Sequence, residues 1–152
     1  LLPESRGSGV GTMLVRDLQA RAAAAEKTLS VHVERLNPAL RLYERAAQEN
    51  PASAVPVANV AGSLLRLGRL AEAEREFRHA LALDPTEGDS AANLARLLRD
   101  SDRGAEALGI LDRTIAAGGS SAQLFLERGT MRATAGRLEE ALADFREAAR
   151  RA

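Results

Sequence analysis

The chain has no cysteine and only two histidines, His32 and His79, among its 152 residues. Disulfides and thiolate metal sites are therefore excluded. Because there are only two histidines and His79 lies in a repeat segment, no metal cluster is predicted either. A chain without cysteine fits a reducing compartment, and no signal peptide is visible, so we expect a cytoplasmic location.

Aromatic residues, long apolar runs and surplus charge are also scarce. Aromatics make up 3% of the chain, tryptophan is absent, and 21 basic residues balance 21 acidic ones. No basic block indicates nucleic-acid binding, and no apolar stretch is long enough to span a membrane. The core must therefore be built from alanine, leucine and valine, a composition that favours helices over strands.

A repeat runs through the last hundred residues. The segments GRLAEAEREFRHAL (68–81), DRGAEALGILDRTI (102–115) and GRLEEALADFREAA (136–149) follow one another at intervals of 34 residues. The register holds small residues at Ala73, Ala107 and Ala141, and large apolar residues at Phe77, Leu111 and Phe145. Small residues allow two helices to approach closely, and the large residue four positions later fills the space beside them.

The turn between the two helices of each repeat is marked by Gly68, Asp102 and Gly136. The pattern resembles the tetratricopeptide repeat family over residues 54–152, divided as 54–87, 88–121 and 122–152. The middle repeat departs most from the family pattern, because Asp102, Thr114 and Gly119 replace the usual glycine, alanine and proline.

The resemblance implies an α-solenoid whose concave groove is lined by the first helix of each repeat and holds a protein or peptide partner. Arg96 and Arg99 would meet an acidic partner or remain solvated, and the family's lysine and asparagine clamp for carboxylates is missing, with Ala58 and Gly62 in its place. The expected groove positions are Val55, Ala58, Gly62, Leu65, Arg66, Asp89, Ala92, Arg96, Arg99, Asp100, Gln123, Leu126, Thr130 and Ala133.

No polar capping helix follows the third repeat before Ala152. An uncapped solenoid end leaves an apolar face open. We therefore expect either that the array continues in the parent protein or that the chain associates with itself through its last helix.

Residues 1–36 do not continue the repeat. A glycine-rich loop (3–10) is followed by an amphipathic helix, and TLSVHVERL (28–36) alternates apolar and polar residues as a strand does. With a strand stub at Leu1-Leu2 and a helix over 37–50, the predicted order is βαβα. The predicted fold is thus mostly α, with a helical-repeat domain (51–152) preceded by a small partial α/β unit (1–50).

Two motifs in this unit resemble the GCN5-related N-acetyltransferase superfamily over residues 1–46. The acyl-CoA motif of that superfamily is met by Arg6, Gly9 and Gly11, and the strand and helix follow in the right order. The resemblance implies that acetyl-CoA is a cosubstrate, that Asn37 lies at the end of the strand beside the pantetheine arm, and that Tyr43 protonates the departing thiolate. The loop amides implied to hold the CoA pyrophosphate are those of Arg6, Gly7, Ser8, Gly9, Val10, Gly11 and Thr12.

The segment NPALRLYERAAQENP (37–51) fits both families. The strands that normally precede the acetyltransferase motif are absent, so we expect acyl transfer only if they are supplied by more chain or another subunit. Two hypotheses stand: an N-acetyltransferase fragment fused to repeats that recruit a partner, or a non-catalytic repeat scaffold in which the α/β unit acts only as a cap.

Overall fold

The computed structural model describes residues 38–152 together with Arg21 and Ala23. Residues 39–152 form one compact unit. This described part is helical and contains no strand. Its seven helices are α1 (Pro38–Glu49), α2 (Ala54–Arg66), α3 (Leu70–Leu83), α4 (Gly88–Asp100), α5 (Gly104–Ala116), α6 (Ala122–Thr134) and α7 (Leu138–Arg151).

The helices after α1 form three hairpins. Helix α2 packs on α3, α4 on α5 and α6 on α7, while α4 also packs on α3 and α6. The first helices of the hairpins begin at Ala54, Gly88 and Ala122, at the 34-residue interval of the sequence repeat. The prediction of a mostly helical repeat array is confirmed for the described residues.

Each hairpin turns on one residue with a left-handed backbone. The φ angles are 74° at Gly68, 60° at Asp102 and 76° at Gly136. Left-handed conformations favour glycine because they crowd a side chain against the backbone. The chain therefore places a strained residue only in the middle of these three turns.

The core lies at the contacts between helices and is made of alanine and leucine around a few large side chains. Ala61, Ala73, Ala95 and Ala107 have no exposed surface. Their small size lets neighbouring helices approach closely. The largest fully buried apolar side chains are Phe77, Leu94, Leu98, Leu111 and Leu124.

Helix α5 ends one residue earlier in its repeat than α3 and α7 do. Gly118 has a φ of 107°, and the N–H of Gly119 donates to the carbonyl of Thr114 at 2.8 Å. A side chain at Gly119 would overlap Thr114, because an added Cβ would lie 2.6 Å from the Thr114 methyl. Position 119 is equivalent in the repeat to position 85, where a proline follows α3. Glycine occupies this position after α5.

The predicted loop, helix and strand of residues 1–36 lie outside the described residues, apart from Arg21 and Ala23, which are helical. The α/β unit therefore stays a prediction. No helix in the described part is long and apolar enough to cross a membrane. Within the same residues, no group of three or more histidine, aspartate or glutamate side chains is placed to hold a metal ion.

Candidate functional site

The first helices of the three hairpins, α2, α4 and α6, present side chains in one repeating register. We call the surface formed by these positions the first-helix face. Its central row is Asn59, Asn93 and Glu127, which are 34 residues apart. The flanking rows are Val55, Asp89 and Gln123 on one side, and Gly62, Arg96 and Thr130 on the other.

A cleft of about 230 Å³ lies between α2 and α4 on this face. Buried Phe77 reaches it from α3, and the two asparagines of the central row stand at its sides. Asn59 is exposed and Asn93 is half-buried, so both amides are accessible to a ligand. The lining residues are Val55, Ala58, Asn59, Phe77, Glu87, Asp89, Ser90 and Asn93.

Polar groups at the start of α4 contribute to the cleft. The Glu87 carboxylate caps the helix by accepting the backbone N–H of Ser90 at 2.7 Å. The Ser90 hydroxyl is buried and has no hydrogen-bond partner in the described part of the chain. A buried hydroxyl without a partner is uncommon and is a group that a ligand can satisfy.

Two arginines stand at the other end of the face. Arg96 donates to the Asn93 side-chain oxygen at 2.7 Å through one of its terminal nitrogens. Arg99 pairs with Asp100 at 3.1 Å and with the buried carboxylate of Glu127, so it ties α4 to α6. A guanidinium has five N–H donors, so Arg96 keeps donors for a ligand after its bond to Asn93.

The Glu127 side chain is buried on the first-helix face, with only 6% of the residue exposed. Burial raises the pKa of its carboxyl above the ordinary glutamate value, and the positive charges of Arg99 and Arg96 act against this rise. Desolvation disfavours the charged form, so burial outweighs the attraction of the two guanidinium groups.

The structure leaves five of the groove positions expected from the sequence exposed and corrects one other. Val55, Arg66, Asp89, Asp100 and Leu126 are exposed. The prediction that Ala92 lines the groove is wrong, because α4 packs between α3 and α6 and leaves Ala92 only 1% exposed.

Asn59, Asn93 and Glu127 are not among the expected groove positions. Their common 34-residue register is readable in the sequence. What the sequence does not show is that Asn93, rather than its neighbour Ala92, lines the cleft.

Tyr43 is half-buried in α1 and packs against the main core cluster. Its register equivalents, Phe77 and Leu111, are buried core residues. This packing accounts for Tyr43 without a catalytic role, and its function as an acid stays a prediction. Residues 6–12 and Asn37, expected to bind acetyl-CoA, lie outside the described residues.

Comparison with known proteins agrees with the repeat geometry. Residues 64–126 match the tetratricopeptide repeat family. This segment covers less than half of the chain and is similar to tetratricopeptide repeats. The matched segment runs from the end of α2 through α5 to the start of α6.

Several solved tetratricopeptide structures are similar to this chain. A thermophilic tetratricopeptide repeat protein of Thermus thermophilus is 25% identical, with a TM-score of 0.61 over 82% of this chain and 71% of that one. The second tetratricopeptide domain of Spaghetti (RPAP3), bound to an HSP90 peptide, is 25% identical, with a TM-score of 0.58 over 70% of this chain and 99% of that one.

The fold of MamA is also similar, at 15% identity and a TM-score of 0.58 over 74% of this chain. This chain spans 66% of the MamA chain, just under two thirds of its length. No curated protein sequence matches the chain. None of these comparisons supports the acetyltransferase resemblance, which rests on the sequence motifs alone.

Proposed function

We propose that the tetratricopeptide repeats form a protein-interaction scaffold and that the first-helix face binds an extended segment of a partner protein. The observation that carries this proposal is the cleft between α2 and α4, in which Asn59 and Asn93 stand one repeat apart. This chain covers nearly the whole length of the Spaghetti (RPAP3) domain, and that domain binds a peptide. A peptide segment as the partner is consistent with this similarity.

An asparagine side chain suits this task because it both donates to a carbonyl and accepts from an N–H, as the backbone of an extended peptide requires. Asn59 and Asn93 both line the cleft from successive repeats. They would therefore bind the partner backbone at two separate points and hold it across the repeats independently of its side chains.

The charges on the first-helix face predict the orientation in which the partner segment binds. Asp89 is exposed beside the cleft, whereas Arg96 and Arg99 stand nearer the opposite end of α4. Opposite charges across an interface fix register and exclude wrong partners. The partner segment should therefore carry a basic residue near the cleft and an acidic residue near Arg96, whose bond is to a neutral amide.

Selection from a peptide-display library against the full chain would identify such segments, and calorimetry would measure their affinity. We expect Asn59→Ala and Asn93→Ala each to weaken binding about five- to tenfold, the loss expected for one peptide hydrogen bond. Gln48→Ala, which removes an amide from α1 on another face, is the matched control and should bind normally. Selected peptides that bind both asparagine variants as tightly as the wild type would refute the proposal.

The last helix is the proposed surface for self-association. Leu138 and Leu142 of α7 are 67% and 48% exposed. Phe145 is half-buried, although its register equivalents Phe77 and Leu111 are fully buried. A second copy packed on α7 would cover this apolar face.

Acyl-CoA binding remains a separate prediction for residues 6–12. Calorimetric titration with acetyl-CoA tests it directly. Heat of binding that disappears in Gly9→Asp would support the prediction, because an aspartate there would block the backbone from the pyrophosphate and repel it. No heat with the wild-type chain would refute it.

A further inference from the structure

The second helices of the hairpins also border clefts, on a surface separate from the first-helix face. One cleft of about 320 Å³ lies between α3 and α5 and reaches down to α4. We call it the arginine cleft. It is lined by Arg78, Leu81, Ala82, Pro85, Leu94, Ile110, Arg113 and Thr114.

A cleft of about 350 Å³ lies between α1 and α3 and reaches down to α2. We call it the glutamate cleft. Moving its lining residues forward by 34 positions gives nearly the same set as the arginine cleft, so the two are equivalent sites in successive repeats. It is lined by Glu44, Ala47, Gln48, Pro51, Val57, Val60, Glu76 and His79.

The two clefts share their shape but have opposite charge. Arg78 occupies the position of Glu44, and Arg113 occupies that of His79. No carboxylate lines the arginine cleft, whereas Glu44 and Glu76 both line the other. A ligand that carries a negative charge is therefore favoured in one cleft and disfavoured in its neighbour.

Most charges around the arginine cleft are already paired. Arg78 donates to Glu74 at 2.8 Å and to Glu106 at 2.6 Å, and Arg103 pairs with both carboxylates. This set of two arginines and two glutamates is neutral. Arg113 has no hydrogen-bond or ion-pair partner among the described residues, so it is the surplus cation at the rim.

The floor of the arginine cleft is apolar. Leu94 has no exposed surface and Ile110 has 4%, while Leu81 on the wall is half-buried. We propose that the arginine cleft binds, from a partner protein, an apolar side chain that stands next to a carboxylate. The side chain packs against Leu81 and Pro85 above this floor, and the carboxylate accepts hydrogen bonds from the Arg113 guanidinium at the rim.

The size of the cleft favours a protein segment over a free small molecule. A volume of about 320 Å³ is at the lower end of the range for ligand pockets, and its rim residues Ala82 and Pro85 are exposed. One apolar side chain and one ion pair bind only weakly by themselves, with dissociation constants on the order of millimolar. Such a contact gains affinity when it is one part of a larger protein interface.

The test uses the full chain and chemical-shift mapping with short probes. The first probe is an acetylated, amidated tetrapeptide that holds leucine beside aspartate, and the second has lysine in place of the aspartate. We expect the aspartate peptide to shift the amides of Ala82, Ile110 and Thr114 in a saturable way, with a dissociation constant on the order of millimolar. The lysine peptide should leave these amides unchanged.

Arg113→Glu should weaken binding of the aspartate peptide at least tenfold, and Arg113→Gln should weaken it by a smaller factor. His79→Glu alters the equivalent rim position of the glutamate cleft and is the matched control that should bind normally. Circular dichroism spectra must coincide for all variants, which is expected because both positions are exposed.

Four results would overturn the proposal. The first is an equal response to the aspartate and lysine peptides, and the second is unchanged binding by Arg113→Glu. The third is tighter binding of octanoate than of the peptide at the same amides, which would assign the cleft to a small amphiphilic carboxylate. Shifts confined to Asn59 and Asn93 would likewise reject this cleft while leaving the proposed function of the first-helix face intact.

Discussion

At the turn of the middle repeat, Asp102 holds a left-handed φ of 60° that glycine provides in the other two turns. A residue with a Cβ is strained in this conformation, although aspartate tolerates it better than most. The family resemblance identifies this position as unusual, and the structure supplies the reason for the strain.

We predict that Asp102→Gly raises the free energy of unfolding by about 0.5–1 kcal/mol, because relief of strain exceeds the entropy that glycine adds to the unfolded chain. Urea denaturation measures the change. The matched control is Gly68→Asp, where an added Cβ has no neighbour within 4 Å and only the backbone strain remains. That control should lower stability by about 1 kcal/mol, and an Asp102→Gly variant that is less stable than wild type would contradict the prediction.

Glu127 gives a prediction about pH. Because burial raises the pKa of its carboxyl, the folded chain retains the proton at a pH where the unfolded chain has lost it. The contribution of Glu127 to stability therefore improves as the pH falls through its folded pKa toward the ordinary glutamate value.

Comparison with Glu127→Gln isolates this contribution from the other carboxyl groups, several of which have lowered pKa values and oppose it. Between about pH 7.5 and about pH 5, we expect the unfolding free energy of the wild type to rise relative to that of the variant. Urea denaturation at both pH values measures the difference. If the wild type instead lost stability relative to the variant on acidification, Arg99 rather than burial would dominate the environment of Glu127.

At the scale of helices, Gly129 shows how a repeat position adapts to its neighbours. Its register equivalents are Ala61 and Ala95. A Cβ at position 129 would lie 2.7 Å from the Phe145 ring and 3.1 Å from the Cβ of Asp144. The sequence predicts a small residue here, but only the packing of α6 against α7 explains why alanine does not fit.

We predict that Gly129→Ala destabilises the chain by about 1–3 kcal/mol, the usual cost of overpacking. Gly62→Ala in α2 is the control, because nothing lies within 4 Å of an added Cβ and alanine favours the helix. The control should gain up to about 1 kcal/mol. Thermal unfolding compares the two variants, and equal effects would show that the contact with Phe145 does not constrain position 129.

The helical hairpins were predictable because small and large residues recur at one period, from Ala73 and Phe77 onward. The ion cluster that joins the second and third hairpins was not predictable. Arg128 donates to Asp144 at 2.7 and 3.0 Å and to Asp112 at 2.8 Å, and it joins α5, α6 and α7. These partners lie 16 positions from Arg128, outside any helical or repeat spacing, so no pattern in the sequence brings them together.

At the scale of the whole molecule, the exposed leucines of α7 give a prediction about assembly. The wild-type chain should associate with itself as its concentration rises, because association covers Leu138, Leu142 and part of Phe145. Leu138→Glu with Leu142→Glu should abolish the association without loss of helix content. Sedimentation velocity measures both states, and a wild-type chain that stays monomeric at high micromolar concentration would contradict the prediction.

The groove of the candidate site was predictable in outline, since the repeat register identifies the first helices. The residues that face the cleft were less so, because a shift of one position on α4 separates buried Ala92 from accessible Asn93. The acetyltransferase motifs precede the described residues, so their prediction still rests on the sequence.

The location of a bound peptide is the most direct test of the proposed scaffold function. A display-selected peptide should be titrated into labelled full chain while amide shifts are recorded. We expect the largest saturable shifts at Asn59, Ser90, Asn93 and Arg96, and we expect Asn93→Ala to need about five- to tenfold more peptide to reach half-saturation. Shifts of a selected peptide that avoid the first-helix face, or an unchanged half-saturation point in Asn93→Ala, would contradict the account.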